Sequence, residues 1–152
     1  MRTMLKSKLH RALVTQADVN YEGSITIDSR LMEAANIVPY EQVHVLDVDN
    51  GSRLVTYAIE GERDSGIISI NGAAARLVYQ GHRVIIITYD AVPEERLSSY
   101  QPTLVYLGEG NRIARIGHSN PSTGSGHRKE AVTSLRPFDG LRASQAQGTA
   151  GR

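Results

Sequence analysis

Cysteine and tryptophan are absent from the 152 residues of this chain, and phenylalanine occurs once. Without thiols the chain can form neither disulfide bonds nor thiolate metal sites, and it has no cysteine nucleophile; we expect no bound metal. Long apolar runs are also missing, as is a basic leader followed by an apolar segment. The sequence therefore predicts no membrane partner, and a cytoplasmic protein is the simplest interpretation.

Charge is nearly balanced over the whole chain but not along it. The formal net charge of +1 gives no reason to expect a nucleic-acid partner. Residues 1–116 carry 12 basic and 14 acidic side chains, whereas residues 117–152 carry 5 and 2 and are rich in Gly, Ser and Pro. The second segment lacks apolar periodicity, so we predict one folded domain over 1–116 and a disordered tail over 117–152.

Short β-rich runs separated by turn residues dominate the folded part. An Asn50-Gly51 pair between the runs 43–48 and 53–59 predicts a hairpin, with a type I′ turn in which both central residues have positive φ. Further strands are predicted at 67–70, at 83–89 (buried on both faces) and at 103–107.

Helix is predicted only in short pieces. Asp28 is a candidate N-cap for a helix over 29–35, and shorter turns of helix are expected at 73–78 and at 93–97, the latter with Pro93 at its first position. Many short strands with few helices indicate a small closed β-barrel.

The run 21–28, Tyr-Glu-Gly-Ser-Ile-Thr-Ile-Asp, places a Gly-Ser bond at the entrance to a predicted strand. A serine hydroxyl at such a junction can attack the preceding carbonyl, here Ser24 on Gly23, and convert the amide to an ester. Elimination and hydrolysis would then leave a chain that begins with a pyruvoyl group. The pair alone usually marks a turn, and it recurs at 51–52 and 124–125.

Other polar clusters could serve the same site. Lys8 and His10 share one face of a predicted strand, although lysines on an edge strand would also explain them. Arg53 could hold a carboxylate and shares a face with Tyr57, whereas Thr56 points the other way unless a bulge intervenes. Each cluster also has an ordinary structural explanation. Small residues with free N–H groups, which suit close approach to an anion, follow at Asn71, Gly72, Ala73 and Ala74. Three further residues lie nearer to Ser24, and the local sequence does not distinguish their roles: Thr15, Tyr21 and Glu22.

Four segments in this order resemble the pyruvoyl-dependent aspartate 1-decarboxylases: Met-Leu-Lys-Ser-Lys-Leu-His-Arg, Tyr-Glu-Gly-Ser, Asn-Gly-Ser-Arg-Leu-Val-Thr-Tyr-Ala-Ile and Ile-Ser-Ile-Asn-Gly-Ala-Ala-Ala. The resemblance covers residues 1–116. It implies a six-stranded double-psi β-barrel that assembles into homotetramers with active sites at the subunit interfaces. It also implies cleavage into a β chain, 1–23, and an α chain, 24–152, spontaneously or with a maturation factor.

The resemblance also implies the chemistry and the site residues. L-Aspartate would form a Schiff base with the pyruvoyl group of Ser24, lose its α-carboxylate as CO2 and leave as β-alanine for pantothenate and coenzyme A synthesis. Tyr57 would be the proton donor and Thr56 would stabilise the oxyanion of processing. The matching positions are Ser24 and Tyr57 for catalysis; Gly23, Ser24 and Thr56 for processing; Lys8, Arg53, Thr56, Gly72, Ala73 and Ala74 for substrate binding; and His10, Tyr21 and Asn71 in support.

Two departures and three alternatives accompany this interpretation. Arg76 and His82 stand where the family more often has histidine and aspartate, and neither is a matched catalytic position. A non-catalytic barrel that only binds a ligand, or a processed decarboxylase for another amino acid, would fit the same fold. A serine hydrolase fits less well, because no Gly-x-Ser-x-Gly elbow surrounds Ser24.

Overall fold

The structure is a computed structural model, and it describes residues 1–119. All but the first three residues of the predicted tail lie outside this part. No helix within residues 1–119 has the length and apolar character needed to cross a membrane.

Strands make up about half of the described chain and helical segments far less, which confirms the mainly β prediction. Short helical segments are α1 (Ser29–Ala34) and three 3-10 segments at Gly72–Arg76, Glu94–Ser99 and Glu109–Asn111. The strands are β1 (Arg2–Leu13), β2 (Gln16–Asp18), β3 (Ser24–Asp28), β4 (Gln42–Asp47), β5 (Arg53–Gly61), β6 (Ile68–Asn71), β7 (Arg83–Val92), β8 (Thr103–Leu107) and β9 (Ile113–Gly117).

All nine strands join one sheet in the order β2-β6-β3-β5-β4-β7-β1-β8-β9. Most neighbours are antiparallel, but β1–β8, β2–β6 and β3–β5 run parallel, so the chain crosses over between distant strands. The alternative that Lys8 and His10 lie on an edge strand is wrong, because β1 is paired on both sides, with β7 and β8.

The core forms from alternate residues of the strands. Ile25 and Ile27 of β3 pack with Ile68 and Ile70 of β6, and all four are fully buried. Burying each side chain contributes about 1.5–3 kcal/mol relative to leaving it exposed. The expectation that the run 83–89 is buried on both faces is met on one face only, since the other face is half-buried in the single chain.

Two local predictions fail for identifiable reasons. The type I′ turn is wrong: Gly51 has a φ of 77° but Asn50 does not have a positive φ, and five residues, 48–52, connect β4 to β5. The buried Asp47 carboxylate accepts hydrogen bonds from the backbone N–H groups of Asp49 and Asn50, which opens the turn. Pro93 is the N-cap of its 3-10 segment, not its first residue.

Candidate active site

The Gly23–Ser24 bond lies where the chain enters β3. Ser24 is the first residue of that strand, only 1% exposed, and has a φ of 140°. Residues other than glycine rarely adopt positive φ, and such a conformation persists where the surroundings impose it. The bond that the sequence identifies as a cleavage site therefore carries backbone strain.

Two clefts meet at this bond. The larger, about 570 Å³, is lined by Tyr21, Glu22, Gly23, Ser24, Pro39, Tyr40, Tyr57, Ile59 and Glu60. The smaller, about 270 Å³, is lined by Gly23, Ser24, Leu54, Val55, Thr56, Asn71, Ala73, Ala74 and Leu77. Only Gly23 and Ser24 line both, so a group formed at Ser24 would be reachable from either side.

Thr56 and Tyr57 approach the bond from different sides of β5. The pairing of β5 with β4 has no bulge between Arg53 and Tyr57. Arg53 and Tyr57 therefore share one face of β5 and Thr56 lies on the other, as the alternation predicts. Thr56 lines the smaller cleft and Tyr57 the larger. The Tyr57 ring lies 6.4 Å from that of Tyr40, centroid to centroid.

Asn71 and Gly72 contact the bond from β6 and the turn after it. The Asn71 side-chain Nδ2 donates a 3.0 Å hydrogen bond to the Ser24 hydroxyl. Gly72 has a φ of 71°, and a Cβ at this position would lie 2.8 Å from the Gly23 Cα. Only glycine therefore allows the Gly72 backbone to approach the Gly23 backbone this closely.

Lys8, His10 and Arg53 line neither cleft. A row of paired residues leads from Lys8 across the sheet toward β5. Lys8 pairs with Ile87 of β7, and Ile87 pairs with His44 of β4. His44 pairs in turn with Val55 of β5. Three strand spacings along the sheet are about 14 Å, more than a lysine side chain spans. One chain thus does not bring Lys8 to Ser24 along this sheet.

His10 lies beside Tyr106, with ring centroids 5.4 Å apart. Burial of the imidazole lowers its pKa, and the positive charges of Lys8 and Arg11 lower it further. Its buried Nδ1 has no hydrogen-bond partner within residues 1–119. Burial and the neighbouring cations therefore disfavour the protonated imidazole of His10, which lies on the same strand face as Lys8.

Lys8 and Arg53 are among the cations of residues 1–119 that form no ion pair. Lys6, by contrast, is paired with Glu41 and Arg30 with Asp64. An unpaired guanidinium or ammonium group can bind a substrate carboxylate without first losing a partner.

Sequence reasoning missed several residues at this site. Tyr40 and Glu60 line the larger cleft, and neither belongs to a recognisable motif. Thr26 and Ser69 hydrogen-bond to Asn71. The period-2 alternation of β3 and β6 was the available signal, since it places Ser24 with Thr26 and Ser69 with Asn71. Thr15, whose role was open, exchanges hydrogen bonds with the backbone of Ile68.

Comparison with known proteins identifies relatives of the chain. The family model for aspartate decarboxylase matches residues 1–114. An aspartate 1-decarboxylase of Dehalococcoides mccartyi (strain ATCC BAA-2266 / KCTC 15142 / 195) is 57% identical over 113 residues, which are 74% of this chain and 91% of the relative. The crystal structure of the computationally designed msDPBB_sym2 protein aligns with 57% of this chain and 99% of its own, at 16% identity and a TM-score of 0.36.

The match of the family model extends over the strained Gly23–Ser24 bond, both clefts and all the positions that the sequence resemblance implied. The relative's identity to this chain is high over nearly its full length. The chain belongs to the aspartate decarboxylase family.

Proposed function

We propose that this chain removes the α-carboxylate of L-aspartate as CO2 and releases β-alanine, using a pyruvoyl group made from Ser24. The reaction supplies β-alanine for pantothenate synthesis. Family membership supports the reaction. The observation that supports its location is the strained Gly23–Ser24 bond between two clefts.

The residues around Ser24 fit a pyruvoyl group. The Ser24 side chain is buried, hydrogen-bonded to Asn71 and flanked by accessible space on both sides. When formed, the group would supply a ketone for the substrate amine and an electron sink for decarboxylation. Asn71 and the close backbone of Gly72 would hold it in place.

The remaining residues bind substrate and move a proton. Tyr57 is the proposed general acid, since it lines the larger cleft beside the bond. Thr56 is proposed to stabilise the oxyanion that forms on Gly23 during processing, from the smaller cleft. Arg53 and Lys8 are the proposed carboxylate ligands, while His10 and Tyr21 support the site. Ala73 and Ala74 leave room for the substrate in the smaller cleft.

We also propose that the site is completed by a second copy in a homotetramer. The outward row Val55, His44, Ile87 and Lys8 crosses four strands and contains apolar side chains that a single chain leaves exposed or half-buried. Burial of this row against another copy would be favourable and would bring a partner's Lys8 toward Ser24. The larger cleft at Ser24 is lined by Glu22 and Glu60, whose charge complements Lys8.

The finer fold and the chain division belong to the same proposal. We propose a six-stranded double-psi barrel within residues 1–116, cut into 1–23 and 24–152, and a tail from 117. The parallel crossover pairs β1–β8 and β3–β5 agree with such a barrel. The cytoplasmic location stays a prediction from the sequence. Assistance of cleavage by a maturation factor stays open in the same way.

The test is an assay for β-alanine from L-aspartate with the wild-type chain and Ser24→Ala. We expect product only from the wild type, because the variant has no hydroxyl to process. Product from Ser24→Ala at the wild-type rate would overturn the proposal. A folded wild-type chain that stays uncut and inactive, also in host extract, would favour the non-catalytic barrel.

The alternative substrate is tested separately. Arg53→Ala should reduce turnover of L-aspartate if this guanidinium binds a carboxylate that neutral amino acids lack. A processed enzyme whose activity is unchanged by Arg53→Ala would indicate a decarboxylase for another amino acid.

A further inference from the structure

A polar patch of four residues, Ser24, Thr26, Ser69 and Asn71, lies on the face of β3 and β6 away from the isoleucine core. The antiparallel register sets Ser24 opposite Asn71 and Thr26 opposite Ser69. Because side chains alternate along a strand, these four lie together while Ile25, Ile27, Ile68 and Ile70 take the other face.

The Asn71 amide is the centre of this patch. Its Nδ2 donates to the Ser24 hydroxyl and to the Thr26 hydroxyl, each at 3.0 Å, and the Ser69 hydroxyl donates to its Oδ1 at 3.0 Å. Ser24, Ser69 and Asn71 are at most 4% exposed. Both amide hydrogens and the amide oxygen of Asn71 are therefore satisfied without water.

We propose that Ser69 and Thr26 are positioning residues for self-cleavage, which hold the Asn71 amide so that its Nδ2 faces the Ser24 oxygen. This inference rests on the proposed function, in which Ser24 is processed. Each of the two residues hydrogen-bonds to the Asn71 side chain and acts through it.

The chemistry identifies the step that needs this donor. In the first step the Ser24 Oγ bonds to the Gly23 carbonyl carbon, the Gly23–Ser24 amide bond breaks, and the hydroxyl proton passes to the Ser24 nitrogen. In the second step the Cβ–Oγ bond of Ser24 breaks and its electron pair leaves on Oγ as the Gly23 carboxylate. Water takes the Cα proton, and a Cα=Cβ double bond forms.

In the later steps one water molecule hydrolyses the new chain end, ammonia leaves and the pyruvoyl group remains. Negative charge thus develops on the Ser24 Oγ in the elimination step, where an N–H donor at 3.0 Å stabilises it. In the first step the same donor offers no advantage, because a hydroxyl that accepts a hydrogen bond is a slightly weaker nucleophile.

Fixing the amide matters because asparagine can rotate about its side-chain bonds. Without the Ser69 donor, the buried Oδ1 would lose its partner, and turning the amide would place an oxygen toward Ser24. Without the Thr26 acceptor, the second N–H would be buried and unpaired. Either loss should slow elimination by about tenfold, the usual size of one such hydrogen bond.

The test follows cleavage of freshly purified full-length precursor by intact mass, with parallel samples treated with hydroxylamine, which cleaves esters. The variants are Ser69→Ala and Thr26→Val, which remove one hydroxyl each. Thr26→Ser retains the hydroxyl and serves as the conservative rescue. Thr88→Val is the matched control, because it removes another buried hydroxyl, hydrogen-bonded to Ser7 at 2.6 Å on β1 and β7.

We expect Ser69→Ala and Thr26→Val to cleave about tenfold more slowly and to accumulate hydroxylamine-sensitive ester, with Thr26→Ser and Thr88→Val near the wild-type rate. Wild-type cleavage rates in both Ser69→Ala and Thr26→Val would overturn the inference. It would also be overturned if Thr88→Val cleaved as slowly as these two variants and none of the three accumulated ester. These results leave the proposed function intact. A wild-type chain that never cleaves, in buffer or host extract, contradicts the proposed function and this inference together.

Discussion

At the scale of single residues, the central chemistry depends on a few side chains whose surroundings differ sharply. Ser24 is buried and strained, whereas Tyr57 and Tyr21, which also line the larger cleft, remain 38% and 54% exposed. An accessible phenol beside a buried serine is the arrangement that a reaction needs when substrate enters from solvent. The residue assignments lead to two predictions.

The first concerns Tyr57 as general acid. Tyr57→Phe should leave the chain cut at Gly23–Ser24 but should slow β-alanine formation by roughly 10²–10⁴-fold, the usual worth of a placed proton donor. The matched control is Tyr89→Phe, since Tyr89 is 43% exposed and lines neither cleft at Ser24. Unchanged turnover in Tyr57→Phe would remove Tyr57 from this role.

The second concerns His10 and pH. Burial, followed by Lys8 and Arg11, lowers the pKa of His10. Below its ordinary pKa of about 6.5 the unfolded chain therefore binds a proton that the folded chain does not, so His10 makes the chain less stable as pH falls through that value.

Urea unfolding of the uncut Ser24→Ala chain between about pH 8 and about pH 5 measures this effect. The His10→Gln variant should lose less stability over this range than the parent chain does. Exposed His118 provides the control variant, His118→Gln. Identical pH profiles for the parent and His10→Gln would show that folding does not lower the pKa of His10.

At the scale of elements, the end of β3 opposite Ser24 is fixed by one buried carboxylate. Asp28 accepts hydrogen bonds from the backbone N–H groups of Arg30, Asp64 and Gly66 at 2.8, 3.0 and 2.8 Å. It thereby caps α1 and anchors the loop between β5 and β6. Both strands that hold the polar patch depend on this anchor.

Asp28→Ala should therefore lower the free energy of unfolding by about 3 kcal/mol, because the α1 cap, the part-buried Asp64 N–H and the buried Gly66 N–H lose their acceptor. Asp18→Ala is the control, since Asp18 accepts one exposed hydrogen bond from Asn20 and should cost less than about 1 kcal/mol. Chemical denaturation compares the two. Equal losses would contradict the anchoring role of Asp28.

Elements with a clear apolar pattern could be predicted from the sequence, and weakly patterned ones could not. The run 103–107 coincides with β8, and the predicted helix begins at Ser29 behind its Asp28 cap. The strands β2 and β9 were missed, since Gln16–Asp18 and Ile113–Gly117 have little apolar alternation. Their pairing partners, not their own residues, define them.

The candidate site divides in the same way. The Gly-Ser pair drew attention to Ser24, and the family resemblance predicted roles for Tyr57 and Asn71. Thr26 was not found, because its contact with Asn71 depends on the register of β3 against β6, 45 residues apart in the chain. Such a register is set by packing of the isoleucine core and cannot be derived from either segment alone. Ser69 lies two residues before Asn71 on β6, and only the alternation of that strand marked it.

At the scale of the whole molecule, one chain leaves the proposed site divided. Lys8 lies on β1, separated from β3 in the sheet by β5, β4 and β7. A homotetramer would bring a second copy of Lys8 to the clefts and would cover the outward row that includes Ile87.

Ile87→Asp should therefore prevent assembly, because a carboxylate would be buried in the proposed interface, and activity on L-aspartate should fall with it. Light scattering after size-exclusion chromatography measures the mass, and circular dichroism checks that the variant is folded. Val48→Asp is the control, since Val48 is 43% exposed and lies outside this row. An Ile87→Asp chain with wild-type mass and activity would place the interface elsewhere.

The central claim is that Ser24 becomes a pyruvoyl group, and the intact mass of the purified protein under denaturing conditions tests it most directly. Conversion of Ser24 should give two chains that divide at Gly23–Ser24, the larger of them one ammonia lighter than the product of simple hydrolysis. A single full-length mass that persists after incubation with host extract would contradict it, as would two chains whose masses fit hydrolysis alone.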